Sequence, residues 1–230
     1  MSRMDYIDIA CRTAVSHPEE HLRAKIISKT EDNLAKHRIT AEECERYGIF
    51  SCNFSHLDRT GLGIVIPIGI CKTTEEDVAQ DLFQIRTITP GFPKYINNFD
   101  CSKTMFGLRL AMQKKRSGNS RCIIVTEGVF DAISLEHYVG RECIVVSSFG
   151  SRLSDGQLGF CLMMSDKIAI AYDNDENGAG DKFYNKFSTN QNLVSSIAPS
   201  KMYRCRPASN DFGQMNEEDL TIVRKFIDEV

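Results

Sequence analysis

Acidic residues collect just past the apolar runs of this chain. Glu127, followed by Gly128, ends the run 122–126; Asp173 and Asp175 follow the run 167–172; Asp211 lies beyond the run 201–205. In extended backbone, residues i and i+2 point the same way, so Asp173 and Asp175 can present both carboxylates to one ion. If Glu127 reaches the same edge from a neighbouring strand, three carboxylates repel one another unless cations sit between them. Hard oxygen ligands left partly open to water suit Mg²⁺, or Mn²⁺ in its place, when the ion must also hold phosphates. Asp131 falls in the first turn of the helix expected after Gly128, where it either supports Glu127 or complements the helix dipole. The stretch 173–178 also matches the first half of a calcium loop. That reading fails, because the twelfth position is Tyr184 instead of a bidentate glutamate and a strand precedes the loop.

The elements that must position these acids are legible in the hydropathy pattern. Apolar bursts of strand length at 122–126, 143–148, 167–172 and 201–205 alternate with helix-compatible spans at 129–139, 153–164 and 179–190. Continuous apolar strands joined by helices imply a parallel sheet covered on both faces, and such sheets place ligand chemistry beyond the carboxyl ends of their strands. Gly178 suits a tight, left-handed turn after the acidic pair. Upstream, Thr40 is a plausible N-cap for a helix through Tyr47, and 63–70 and 80–88 read as strands, the first interrupted by Pro67. The expected organisation is a helical N-terminal extension (1–37), a smaller α+β subdomain (38–118), an α/β domain (119–215) and an acidic C-terminal helix (216–230). The polar connector at 114–121 marks the main division, near residue 118.

Composition narrows the classes. The net charge of −3 excludes a protein that coats nucleic acid by charge alone. The charge is nevertheless uneven: between Lys94 and Arg121 the only acid is Asp100, against Lys94, Lys103, Arg109, Lys114, Lys115, Arg116 and Arg121. The bland reading of Lys114–Arg116 is a solvated helix face. Nine cysteines without a Cys-x-x-Cys pair argue against a disulfide framework or a zinc knuckle and for reduced, mostly buried thiols. The longest apolar run, 61–71, is far short of the roughly 20 residues of a membrane helix, and the N-terminus lacks a signal-peptide core, so a cytoplasmic protein without a membrane partner is expected.

The two acidic signatures, "VTEGVFDAISL" and "AYDNDENGAG", resemble those of the TOPRIM domain shared by bacterial-type primases, topoisomerases and several nucleases. "SNDFGQM" is similar to the Lys-Asp turn that follows the last strand in primases, with Asn210 in place of the lysine. Upstream, "RITAEECERYGIF", "GIVIPI" and "FPKYINNFDCSKTMFGLRLA" resemble the catalytic core of DnaG-like bacterial and phage primases more narrowly. The resemblance implies an α/β fold with a TOPRIM-type parallel sheet flanked by helices, preceded by a smaller α+β subdomain. It further implies Mg²⁺- or Mn²⁺-dependent nucleotidyl transfer that makes RNA primers on single-stranded DNA from ribonucleoside triphosphates. Glu127, Asp173 and Asp175 would be the catalytic carboxylates, Asp131 and Asp211 further members of the metal set, and Arg86, Lys94, Asn97 and Arg109 would bind nucleic acid or nucleotide. No cysteine pairing for a template-reading zinc module precedes the core and no phosphate loop follows it, so no zinc is expected and a separate helicase or template-recognition protein is the implied partner. A TOPRIM nuclease and a non-catalytic DNA-binding or recombination-mediator module are the alternative readings.

Overall fold

The computed structural model describes residues 31–71, 80–118, 120–174, 178–189, 202–209 and 211–229. They divide into two compact units, the first running up to Asp100 and the second from Cys101.

In the first unit, helix α1 (Ala41–Tyr47) starts where the sequence places it. Thr40 accepts from Glu43 N while Glu43 reaches back to Thr40 N at 2.7 Å, a complete capping box, and Gly48 closes the helix at φ 66°. Strands β1 (Phe50–His56), β2 (Arg59–Cys71), β3 (Gln80–Thr87) and β4 (Tyr95–Asn97) follow as an antiparallel meander in the order β1-β2-β3-β4. β1 was not among the expected strands, although Cys52, Phe54 and His56 alternate with more exposed neighbours along it. Its hairpin to β2 turns through Leu57 and Asp58, both left-handed (φ 51° and 59°), without the Asn-Gly pair that flags such turns. β2 runs through Pro67, where a register shift between Pro67 and Gly69 absorbs the missing donor. One sheet face packs Cys52, Phe54, Val65, Phe83, Ile85 and Ile96, with Phe92 against them.

The second unit has the expected α/β plan. Helix α2 (Leu108–Ser117) leads into β5 (Ile123–Thr126), α3 (Val129–Val139), β6 (Ile144–Ser147), α4 (Asp155–Met164), β7 (Ile168–Ala171), α5 (Ala179–Thr189), β8 (Met202–Arg204) and α6 (Glu217–Glu229). The sheet order is β6-β5-β7-β8 and all three pairings are parallel. β5, β6 and β7 are buried at every position, as continuous Ile/Val/Ala runs require when helices cover both faces. Gly178 has φ +57°, the left-handed turn expected of it, whereas Gly128 sits at φ −103°, ψ 156°, a conformation open to any residue. Among the described residues no helix is long and apolar enough to cross a membrane.

The division near residue 118 needs correction. The segment from Cys101 belongs to the second unit, because Gln157 Nε2 donates to Cys101 O and Thr104 O (both 2.9 Å), Ser154 Oγ donates to Ser102 O (2.6 Å) and Phe106 bridges Ser147. Met105 and Ala111 lie in that unit's core. Gly107 makes the close approach possible, since a Cβ there would stand 2.9 Å from Val145 O and its φ is +85°. Lys114 also departs from the solvated reading. It is only 17% exposed and its Nζ bonds Glu136 Oε1 (2.9 Å) and Cys143 O (3.1 Å), whereas Lys115 and Arg116 are exposed. Cys52, Cys122, Cys143, Cys161 and Cys205 are free and buried, as reduced core thiols should be.

Candidate functional site

Parallel pairing aligns the strands so that Thr126 of β5 lies opposite Ser147 of β6 and Ala171 of β7. The residues one or two steps beyond, Glu127 and Asp173, therefore leave the sheet at the same carboxyl edge from neighbouring strands, and both are half-buried. Asp175 lies outside the described residues. Asp131 is buried at the start of α3, and its two oxygens accept from Gly128 N (3.0 Å) and Gly213 N (2.7 Å). It thus ties the β5–α3 turn to the 3-10 turn Phe212–Gln214. Burial pushes its carboxyl up to about 8, the charges of Asp173 and Asp211 add to this, and the two backbone donors oppose it without prevailing. Asp211 caps the 3-10 turn, accepting from Gln214 N at 2.9 Å. The edge therefore gathers Asp131, Asp173 and Asp211 into one electrostatic neighbourhood. Among the described residues no three carboxylate, histidine or cysteine groups form a ready-made metal cage.

A hydroxyl network beneath this edge was not anticipated. Ser147 Oγ donates to Glu127 O (3.0 Å), and Ser148 Oγ lies within hydrogen-bond distance of Thr126 O (3.1 Å), Gly150 O (2.7 Å) and the hydroxyl of Tyr172 (2.9 Å). Ser148 has one proton to give, so when it bonds a carbonyl the buried Tyr172 must be the donor to it. Burial pushes the Tyr172 phenol upward, which keeps that proton in place. The network holds Phe149 at φ 61°, a left-handed conformation that an aromatic residue adopts only under constraint. The adjacent serines 147–148, followed by Gly150, are the one sequence signal of it.

The expected phosphate-binding residues divide between the units. Arg86 on β3 is paired in register with Tyr95 on β4, and Gln84 with Asn97, so the four share one face of the meander. The Arg86 guanidinium lies 4.9 Å from the Tyr95 ring centroid, and Lys94 Nζ lies 5.6 Å from it. Arg86 Nε and Nη1 are buried with no hydrogen-bond partner, an uncommon state for a charged donor. Asn97 Oδ1 accepts from Gln84 Nε2 at 2.9 Å, and Lys94 is exposed. Arg109 belongs to the second unit, exposed on α2.

Comparison with known proteins agrees with this fold. Residues 124–214 match the family model described as Toprim-like. No curated protein matches the sequence. Among solved structures, the chain is similar to the DnaG primase catalytic domain bound to single-stranded DNA, with a TM-score of 0.65 at 16% identity over 98% of this chain and 77% of that one. The Escherichia coli primase catalytic core gives a TM-score of 0.61 at 16% identity, covering 97% and 76% of the two chains. A DNA primase domain from Pseudomonas aeruginosa gives 0.59 at 16% identity over 97% and 75%.

Proposed function

Because residues 124–214 are Toprim-like and the chain has the fold of a DnaG-type primase catalytic core, we propose that this protein is the catalytic core of a DNA primase. It joins ribonucleoside triphosphates into short primers on single-stranded DNA. The observation that carries the reading is the emergence of Glu127 and Asp173 at one carboxyl edge, from the hydrogen-bonded neighbours β5 and β7.

The donor set there fits a divalent cation. Glu127 and Asp173 offer hard carboxylate oxygens on half-buried residues, and the charges of Asp173 and Asp211 add to burial in raising the carboxyl of Asp131. Glu127, Asp173 and Asp175 would hold Mg²⁺ or Mn²⁺, with Asp131 and Asp211, already engaged by backbone N–H groups, supporting from behind. A metal bound there supplies positive charge to the triphosphate and to the attacking and leaving oxygens. The chain's own groups do the positioning: Ser147 fixes the Glu127 main chain, and Asp131 fixes the turn that starts α3. Arg86, with two buried unpartnered nitrogens, suits a phosphate oxygen of the template or nucleotide; Lys94 and Asn97 in the same unit, and Arg109 separately in the second, would be further phosphate contacts. A helicase or template-recognition partner is the further component that this reading calls for.

The test is incubation of the purified chain with single-stranded template, ribonucleotides and Mg²⁺ or Mn²⁺. Primers that vanish with Glu127→Gln, while the melting temperature holds or rises, are the expected result. Cleaved template, or no product at all, would replace this reading with a nuclease or a DNA-binding mediator.

A further inference from the structure

The ladder between β7 and β8 ends at Ile170 and Arg204, so the backbone that carries Asp173 away from the sheet has left strand pairing behind. The Arg204 side chain takes over at that point. It is 10% exposed, its Nε donates to Asp181 Oδ1 on α5 (2.9 Å), and its Nη1 donates to Ile170 O (3.1 Å) and Cys205 O (2.8 Å). Nη2 faces Asp173 O at 3.5 Å, the longest of the four contacts. Asp181 is itself held from the other side by Arg206 Nη2. Burial opposes ionisation of Asp181, but the hydrogen bonds and charges of the two arginines outweigh it and hold its carboxyl below the ordinary range. The space around Nη2 is closed: a Cβ at Gly180 would stand 2.8 Å from Arg204 Nη2, 2.9 Å from Tyr172 Cβ and 3.1 Å from Asp173 O.

We propose that Arg204, aimed by Asp181, is a positioning residue that fixes the direction in which Asp173 presents its carboxylate to a divalent cation. This rests on the assignment of Asp173 to the metal-binding edge. The physical link is the peptide plane after Asp173: holding Ile170 O and Asp173 O from one rigid guanidinium fixes both ends of the exit from β7. A lysine cannot do this, because one ammonium on a flexible stem does not reproduce a planar fork with fixed donor directions.

The sign of the effect separates positioning from simple charge. Arg204 is a cation beside a cation site, so by Coulomb's law alone its neutralisation should tighten metal binding. Positioning predicts the reverse. Calorimetric titration of Mn²⁺ into the full chain should show affinity weakened about tenfold by Arg204→Gln and by Arg204→Lys, the size expected when an outer partner of a metal ligand is lost. Circular dichroism of each variant checks the fold. If Arg204→Gln does not fold, Asp181→Ala, which leaves Arg204 in place but without the acceptor of its Nε, and Gly180→Ala, which inserts a methyl between Nη2 and Asp173 O, should weaken Mn²⁺ binding in the same direction. Wild-type binding with unchanged or tighter binding in the folded variants overturns the role of Arg204 alone. No Mn²⁺ binding by the wild type overturns the metal-binding edge and this inference together.

Discussion

The two sheets of this protein expose chemistry in opposite ways. In the antiparallel meander, candidates sit within the strands: Arg86 on β3 faces Tyr95 on β4 in register, and Asn97 lies on the same face of β4. In the parallel sheet the central strands are buried throughout, and candidates appear only where the strands end. The difference follows from coverage. An antiparallel sheet can leave polar side chains on one of its faces, whereas a parallel sheet roofed by crossover helices has only its edges to offer. A cation from inside a strand, Arg86, and carboxylates from strand ends are the outcome, and buried cations of the parallel unit, unlike the exposed Arg109, should be structural.

The strongest test of that last statement is Lys114. With Glu136 only 6% exposed, Lys114→Ala takes the ammonium out of a largely buried ion pair, and should cost about 3 kcal/mol in urea unfolding. Lys115→Ala and Arg116→Ala should stay within about 0.5 kcal/mol of wild type. If all three behave alike, Lys114 is a surface residue and the contrast between the units is weaker than drawn.

Asp131 gives the next largest effect, through pH. Its folded-state pKa is raised to about 8, so between roughly pH 4 and 8 the folded state holds a proton that the unfolded chain has lost. In metal-free buffer, stability should therefore fall as pH rises through this window, by at most about 1.4 kcal/mol per pH unit. Asp131→Asn removes the titration, but its amide presents an NH₂ group to one of the two backbone donors. It should be less stable than wild type at pH 5, with the gap narrowing by pH 8. Parallel pH profiles for the two proteins would mean that Asp131 ionises normally.

The meander supplies the smallest effect and the most specific one. Arg86→Ala and Lys94→Ala should each reduce the slope of log affinity against log salt for single-stranded DNA by about 0.7, one counterion per lost phosphate contact. Lys94 is exposed, so its replacement should barely change the melting temperature. Slopes unchanged in both variants would remove this face from the nucleic-acid interface.

Much of this was legible without coordinates. Thr40 starts its helix through a partner three residues away, Gly178 makes the left-handed turn, and the apolar runs 122–126, 143–148 and 167–172 contain β5, β6 and β7, because capping, turn chemistry and strand periodicity are local properties of the chain. That Glu127 and Asp173 leave the sheet at one edge was legible too, since parallel strands put their carboxyl ends together. What the sequence did not carry were pairings between distant positions. Asp131 meets Gly213 across 82 residues, Lys114 meets Glu136 across 22, and Gln157 draws the segment from Cys101 into the second unit across 56. Hydrogen bonds of that kind leave no periodicity behind, so a buried lysine reads like a solvated one. The same holds for Arg204 and Asp181: each is an ordinary charged residue along the chain, and only packing α5 against β7 and β8 turns them into a support for Asp173.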